Sequence, residues 1–361
     1  MALSPHRFDG LTTIGAVIFI IDLVCFVTFS GFLLSRFLMF PGTFTKTVKH
    51  PTESLFIPVR VPTNLIPFHR CSNTFLQAFF LSISTILSCI QEYGVPFAGS
   101  WLLVAVRILF WIYTAITFIT AVLQYHLLFT GKPLTLQSMT PAWIMPVFPV
   151  MLSGTLAASI AGSQPPHHAI PIIIAGTTFQ GLGILVAILF YSNYVGRLMM
   201  EGLPSPKTRP GMFISVGPPA FTGLAYIGMA DAAIEVFPHT FVVGTEDVPT
   251  AQVLKIVAVF LAICFWTLSL FFFCISFVAV SLELGHTKFH LTWWSLIFPN
   301  VGFIVAMIQI GTAINSPAIL WVSSVCTVVL VVVYLCVLFA HVRAVLKKEI
   351  LWPGRDEDHF S

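Results

Sequence analysis

Apolar positions in this chain fall in long runs separated by short polar connections, with no sustained alternation of the kind a strand would show. A helix needs about 20 mostly apolar residues to cross a bilayer. The runs predict nine such spans, at 11–35, 76–93, 101–129, 142–162, 169–196, 211–236, 251–284, 291–314 and 317–345. The predicted class is an all-α polytopic membrane protein with a single transmembrane domain over 1–361 and a short polar tail at 346–361.

Prolines divide the spans into two kinds. Pro146 and Pro149 lie inside one apolar segment, Pro218 and Pro219 inside another and Pro299 inside a third. Spans 169–196, 251–284 and 317–345 follow these in turn, without a break at their centres. Pro146 and Pro218 are 72 residues apart, Pro218 and Pro299 are 81, and Pro58 precedes Pro146 by 88. A proline removes one backbone donor and crowds the preceding turn, so it kinks or breaks a helix. In lipid the freed carbonyl must find a partner in protein or in a water-filled cavity. The predicted unit is therefore a helical hairpin of one broken and one straight helix, with the broken helices gathered around a central pore.

Basic residues set the orientation. Of 17 Lys and Arg, 14 fall in alternate connections: Arg36, Lys46, Lys49, Arg60 and Arg70; Lys132; Arg197, Lys207 and Arg209; Lys288; and Arg343, Lys347, Lys348 and Arg355. The opposite connections hold Glu92, Glu235, Glu246 and Asp247. By the positive-inside rule the basic connections and the C-terminus are cytoplasmic.

Composition agrees with the pattern. The chain is 57% hydrophobic and 9% charged, with 35 Phe and a mean hydropathy of +0.94. Its seven Cys show no metal-ligand or disulfide spacing. No metal, cofactor or nucleic-acid partner is predicted. A nucleophile elbow, a His/Glu cluster at metal-binding spacing and a catalytic carboxylate pair are all missing from the spans, which argues against a membrane enzyme.

The stretch 59–78, VRVPTNLIPFHRCSNTFLQA, departs from the pattern. It is polar and interrupts a span; without it Pro58 and Pro146 would be 68 residues apart, close to the other repeats. It reads as an anomalous insert of retained-intron type, an expectation that the transcript sequence across codons 55–82 tests.

Several motifs carry a family resemblance: HPTESLF, QEYGVP, KPLTLQSMTPAWIMPVFPVMLSGT, AGSQPP, TFQGLG, GLPSPKTRPGMFISVGPP and WWSLIFP. Together they resemble the fungal malic acid (C4-dicarboxylate) transporters. These are a branch of the tellurite-resistance/dicarboxylate transporter family, to which the plant slow anion channels and the yeast sulfite pump also belong. The resemblance implies ten helices in five hairpins, with five proline-kinked helices around the pore. It also implies transport of malate or a similar small organic anion across the plasma membrane, and trimers among bacterial and plant relatives, hence a possible homo-oligomer. Relative to that pattern Met1–Gly10 stands directly before the family's second helix, so four of five inner helices are expected.

Moving a dianion through a low-dielectric core calls for hydrogen-bond donors and positive potential, and half-helix N-termini supply both. Candidate donors beside the kinks are Thr52, Ser54, Ser153, Thr155, Ser215 and Asn300, with Gln309, Thr312 and Asn315 further along the last kinked span. Arg209 and His50 stand at the cytoplasmic end. Phe298, immediately before Pro299, resembles the aromatic that plugs the pore in bacterial and plant members and is the predicted gate. Arg107 lies within a span and is expected to be paired, with Glu92 as a candidate; Asp22 is an acidic residue in mid-span; His167 and His168 read as loop residues. The alternatives are sulfite efflux, another anion channel of the same fold, or a non-functional truncated gene product.

Overall fold

The computed structural model describes residues 5–39, 74–130, 135–238, 241, 248–283 and 289–350. Within them the regular structure is helical throughout. The α-helices are α1 (Leu11–Met39), α2 (Thr74–Tyr93), α3 (Ser100–Thr130), α4 (Phe148–Ile160), α5 (Pro166–Glu201), α6 (Gly217–Val236), α7 (Thr250–Ser281), α8 (Phe298–Ala313) and α9 (Pro317–Leu346), and a single turn, Val95–Ala98, joins α2 to α3. Seven helices are long and apolar enough to span a membrane. The predicted spans 76–93 and 142–162 are the two outside that set. The first is α2, which carries Gln77, Ser82, Ser84 and Gln91. The second is shortened by its break to the 13 residues of α4 and a following 3-10 turn.

Each predicted kink is a change of helix type. A 3-10 segment, Pro141–Ile144, precedes α4; another, Arg209–Val216, runs into α6; a third, Leu291–Leu296, precedes α8. Pro149, Pro218, Pro219 and Pro299 all sit in the first turn of the α-helix that follows, and Pro146 sits in the turn just before α4. The physical reason is local: first-turn N–H groups have no intrahelical acceptor, so a residue without an N–H loses nothing there. Pro58 lies outside the described residues. So does most of the anomalous stretch 59–78, whose last five residues, 74–78, are the first turn of α2.

Helices α2, α4, α6 and α8 pack in that order as an inner arc, and among the described residues no packed face joins α8 back to α2. The outer helices lie behind them, with α3 against α4, α5 between α4 and α6, α7 behind α6 and α8, and α9 behind α8. The layers approach closely where side chains are small. A Cβ on Gly176 of α5 would stand 2.5 Å from Ala157 Cβ of α4 and 2.7 Å from Met229 Sδ of α6.

The outer layer also donates to carbonyls at the breaks, among them those of Trp143 and Ser215, which Pro146 and Pro219 leave without their helical partners. Tyr125 and Tyr113 of α3 donate to the Trp143 and Pro149 carbonyls, at 3.1 and 2.8 Å. Tyr191 of α5 donates to the Ser215 carbonyl at 2.8 Å, and Ser269 of α7 to that of Val216 at 2.7 Å. At the third break the Asn300 amide donates back to the Leu296 carbonyl at 2.7 Å. This is the protein-supplied partner that a broken helix needs in lipid.

A prediction follows from one of these bonds. Tyr191 is 5% exposed, and Tyr191→Phe strands the Ser215 carbonyl, at a cost of about 1 kcal/mol. Tyr194→Phe is the control, because the Tyr194 hydroxyl is buried with no partner among the described residues. Thermal unfolding in detergent should drop for the first variant and not for the second; equal melting temperatures would refute the role of the bond.

Candidate functional site

The three α-helices that begin at breaks start at one place. A Cβ on Gly217, the first residue of α6, would lie 2.9 Å from Phe148 Cζ and 3.5 Å from Pro299 Cβ. Phe148 opens α4 and Pro299 is the second residue of α8, so side chains from two of these helix starts pack on the first residue of the third. A side chain at 217 would displace the Phe148 ring. None of the three starts has a side-chain cap. Each helix end carries the equivalent of about half a positive charge. Arg209 is the one Lys or Arg on the described broken spans, 141–163, 209–236 and 291–313, and the 3-10 turns already accept the N–H groups of Phe148 and Gly217 through the Met145 and Ile214 carbonyls.

Three aromatic rings close this centre. Phe298 stacks on Phe221 of α6, with centroids 5.0 Å apart and 21° between the planes. Phe148 meets both rings edge-on, at 5.8 Å from Phe298 and 5.7 Å from Phe221. Leu81 of α2, Met145, Met151, Leu152 and Leu224 complete the apolar cluster. Phe148 and Phe221 are buried, and Phe298 is half-buried. A Cβ on Gly302, one turn after Phe298, would reach within 2.6 Å of Phe221 Cε2, so this glycine is the seat for the Phe221 ring. The sequence singled out Phe298 alone. Phe148 shares its position before a helix-starting proline, a signal that was available in PVFPV beside SLIFP.

Toward the acidic end, each inner helix keeps one stripe open while its other faces are packed. On α4 it runs through Thr155 and Ser159 to Gly162 in the turn that follows, and on α8 from Phe298 through Val305 and Gln309 to Thr312. The two share the same helical spacing. On α6 it runs through Leu224, Asp231 and Glu235, and on α2 through Ser82, Thr85 and Glu92. Thr155 therefore lies on the open stripe, its hydroxyl donating to the Leu152 carbonyl at 2.8 Å.

The other predicted donors are placed differently. Ser153 is fully buried between α3 and α4, accepting from Thr114 at 3.2 Å. Ser215 is fully buried within the second break, donating to the Met212 carbonyl at 2.6 Å. Asn300 turns away from the stripe and serves the third break. Thr52, Ser54 and His50 lie outside the described residues.

Two of the charged groups near the inner helices form ion pairs, and a third bonds an amide. Arg209 donates to Glu283 at 2.7 Å and to the Pro204 carbonyl at 3.0 Å, which ties the second 3-10 segment to the end of α7. Arg107 reaches Gln164 at 3.5 Å instead of Glu92, because α3 turns it toward the end of α4, where Gln164 also donates to the Leu103 carbonyl. Lys255 of α7 forms an ion pair with Asp231 of α6, a contact the sequence did not suggest. Asp22 is exposed on α1. His167 and His168 form the start of α5 instead of a loop, with ring centroids 4.0 Å apart.

Comparison with known proteins extends the resemblance seen in the motifs. A malic acid transport protein of Schizosaccharomyces pombe is 35% identical over 357 residues, 98% of this chain and 76% of that protein. A second protein of the same yeast, named for the same transport, is 35% identical over 99% of this chain and 78% of its own length. A sulfite efflux pump of Trichophyton rubrum is 25% identical over 315 residues, 87% of this chain and 77% of the pump. The voltage-dependent anion channel family, SLAC1, matches residues 1–342, and this chain belongs to that family.

Proposed function

We propose that this protein carries malate, or a closely similar C4-dicarboxylate, across the plasma membrane through the centre of its inner arc. The observation that carries the substrate is the 35% identity, over 98% of the chain, to a protein named for malic acid transport. The path follows from the arc itself. Three uncapped helix starts draw a dianion to the centre without a fixed cation that would hold it too tightly. The open hydroxyls and amides of Ser82, Thr85, Thr155, Ser159, Gln309 and Thr312 replace its water beyond that point. Phe298 is the gate, and Phe148 and Phe221 are the surface it closes against. Ser153, Ser215 and Asn300 act one layer back by holding the breaks, and Arg209 braces the cytoplasmic mouth. The basic end of the bundle and the C-terminus face the cytoplasm. The protein acts by transport, without covalent chemistry, and assembly into a homo-oligomer fits this reading.

The test is uptake of labelled malate by a yeast that lacks its own malate carrier and expresses the full chain. Saturable uptake that unlabelled succinate reduces is expected. No uptake, together with tolerance to sulfite, would move the substrate to the class of the Trichophyton pump and overturn malate.

A further inference from the structure

The 3-10 segment that delivers Phe298 is fastened at the basic end of the bundle by side chains the gate reading does not use. Trp294, in the middle of Leu291–Leu296, donates its indole N–H to Nδ1 of His341 on α9 at 2.9 Å. The same tryptophan packs edge-on against the imidazole and against Tyr334, with centroids at 5.7 and 6.0 Å. Its carbonyl accepts the Ile297 N–H at 3.1 Å, and Phe298 is the next residue. Two residues before Trp294, Thr292 donates to the Lys207 carbonyl at 2.9 Å, which fixes the segment against the second break. Trp294 is therefore the one described link from the gate's own 3-10 turn to the outer helix α9 that runs through a titratable group.

We infer that His341 is a positioning residue for the gate, acting through Trp294. Only an imidazole with a free lone pair on Nδ1 can accept the indole proton, so the bond requires the neutral ring with its hydrogen on Nε2. A proton arriving from the cytoplasmic side occupies Nδ1, sets N–H against N–H and releases the tryptophan. The 3-10 segment then loses its tie to α9 through Trp294, and Phe298 leaves its stack on Phe221 more readily. Phe289 at 5.6 Å and Trp294 cover the ring, and neither titrates. Tyr334 and Arg343 on α9, His290 beside Phe289, and Lys207, whose carbonyl accepts the Thr292 bond, are the titratable or charged groups of this corner. An anion carrier that opens as its own cytoplasm acidifies would respond to the acid it moves.

This inference rests on the reading of Phe298 as the gate, and the test separates the two. Malate currents of the full chain are recorded with the cytoplasmic face stepped between about pH 7.5 and about pH 5, a range wide enough to protonate a partly buried imidazole. Current should rise roughly threefold to tenfold on acidification, the factor that one hydrogen bond is worth. His341→Asn, whose amide oxygen takes the place of Nδ1 without titrating, should stay at the alkaline level at both pH values. Trp294→Phe, which keeps the ring and loses the donor, should stay at the acid level at both. If the two variants follow the wild-type profile while Phe298→Ala still raises the current, the latch is wrong and the gate stands. If Phe298→Ala leaves the current unchanged, the gate reading fails and takes the latch with it.

Discussion

Phe298→Ala should raise malate flux by a factor of roughly 5 to 100. To open, the ring must leave a stacked contact with Phe221 and an edge contact with Phe148. Aromatic contacts of this kind are worth about 0.5–1.5 kcal/mol each. Together they set a barrier of about 1–3 kcal/mol, and each 1.4 kcal/mol or so corresponds to tenfold in rate. Alanine removes both contacts and leaves the convergence of Phe148, Gly217 and Pro299 in place, so the helix starts still attract the anion. Phe298→Leu should fall between alanine and wild type, since it fills the space without an aromatic face. The measurement is labelled malate flux in proteoliposomes, normalised to protein incorporated. Wild-type flux from the alanine variant would remove the gate, and flux raised equally for chloride and malate would mean that selectivity resides in the ring as well.

The second large effect lies away from the path. Gly176→Val should abolish accumulation of folded protein. Even the first added carbon meets Ala157 Cβ at 2.5 Å, an atom fixed directly to the α4 backbone, so relief requires a helix to move. Met229 Sδ, at 2.7 Å, can swing aside and does not decide the outcome. Overpacking of this kind costs about 1–3 kcal/mol where side chains can adjust and more where backbone must, against a total stability of about 5–15 kcal/mol. Size-exclusion profiles of the detergent extract should show the loss. Gly176→Ala combined with Ala157→Gly should recover a monodisperse peak, because it moves one methyl group across the same interface. A normal profile for the valine variant would show that α4 and α5 do not meet as closely as described.

Contrast between these two sites shows what each level of description supplies. Apolar run length and the positions of proline are properties of the chain, and they act through covalent facts: a helix needs about 20 residues to cross a bilayer, and proline has no N–H to give. The alternation of broken and straight helices, the basic end and the aromatic before Pro299 were therefore legible before any fold was known. The two predicted spans outside the membrane-length set, α2 and α4, are those in which polar residues or a break dilute the run.

Which faces meet is another matter. Helix rotation is set by the sum of weak contacts with every neighbour, and no local signal encodes it. Ser153 and Thr155 stand two residues apart beside the same prolines, yet one is buried against α3 and the other lies on the open stripe. Among 35 Phe, only packing selects Phe148 and Phe221 to face Phe298. Gln164 replaces Glu92 as the partner of Arg107 because α3 and the end of α4 are neighbours in space. The carbonyls freed by proline, those of Trp143 and Ser215, are predictable, but Tyr125 and Tyr191 reach them from the outer helices α3 and α5. The sequence by itself determined where this protein breaks its helices; the tertiary structure alone decided what fills and guards the breaks, because a missing donor is a property of one residue and a partner is a property of two.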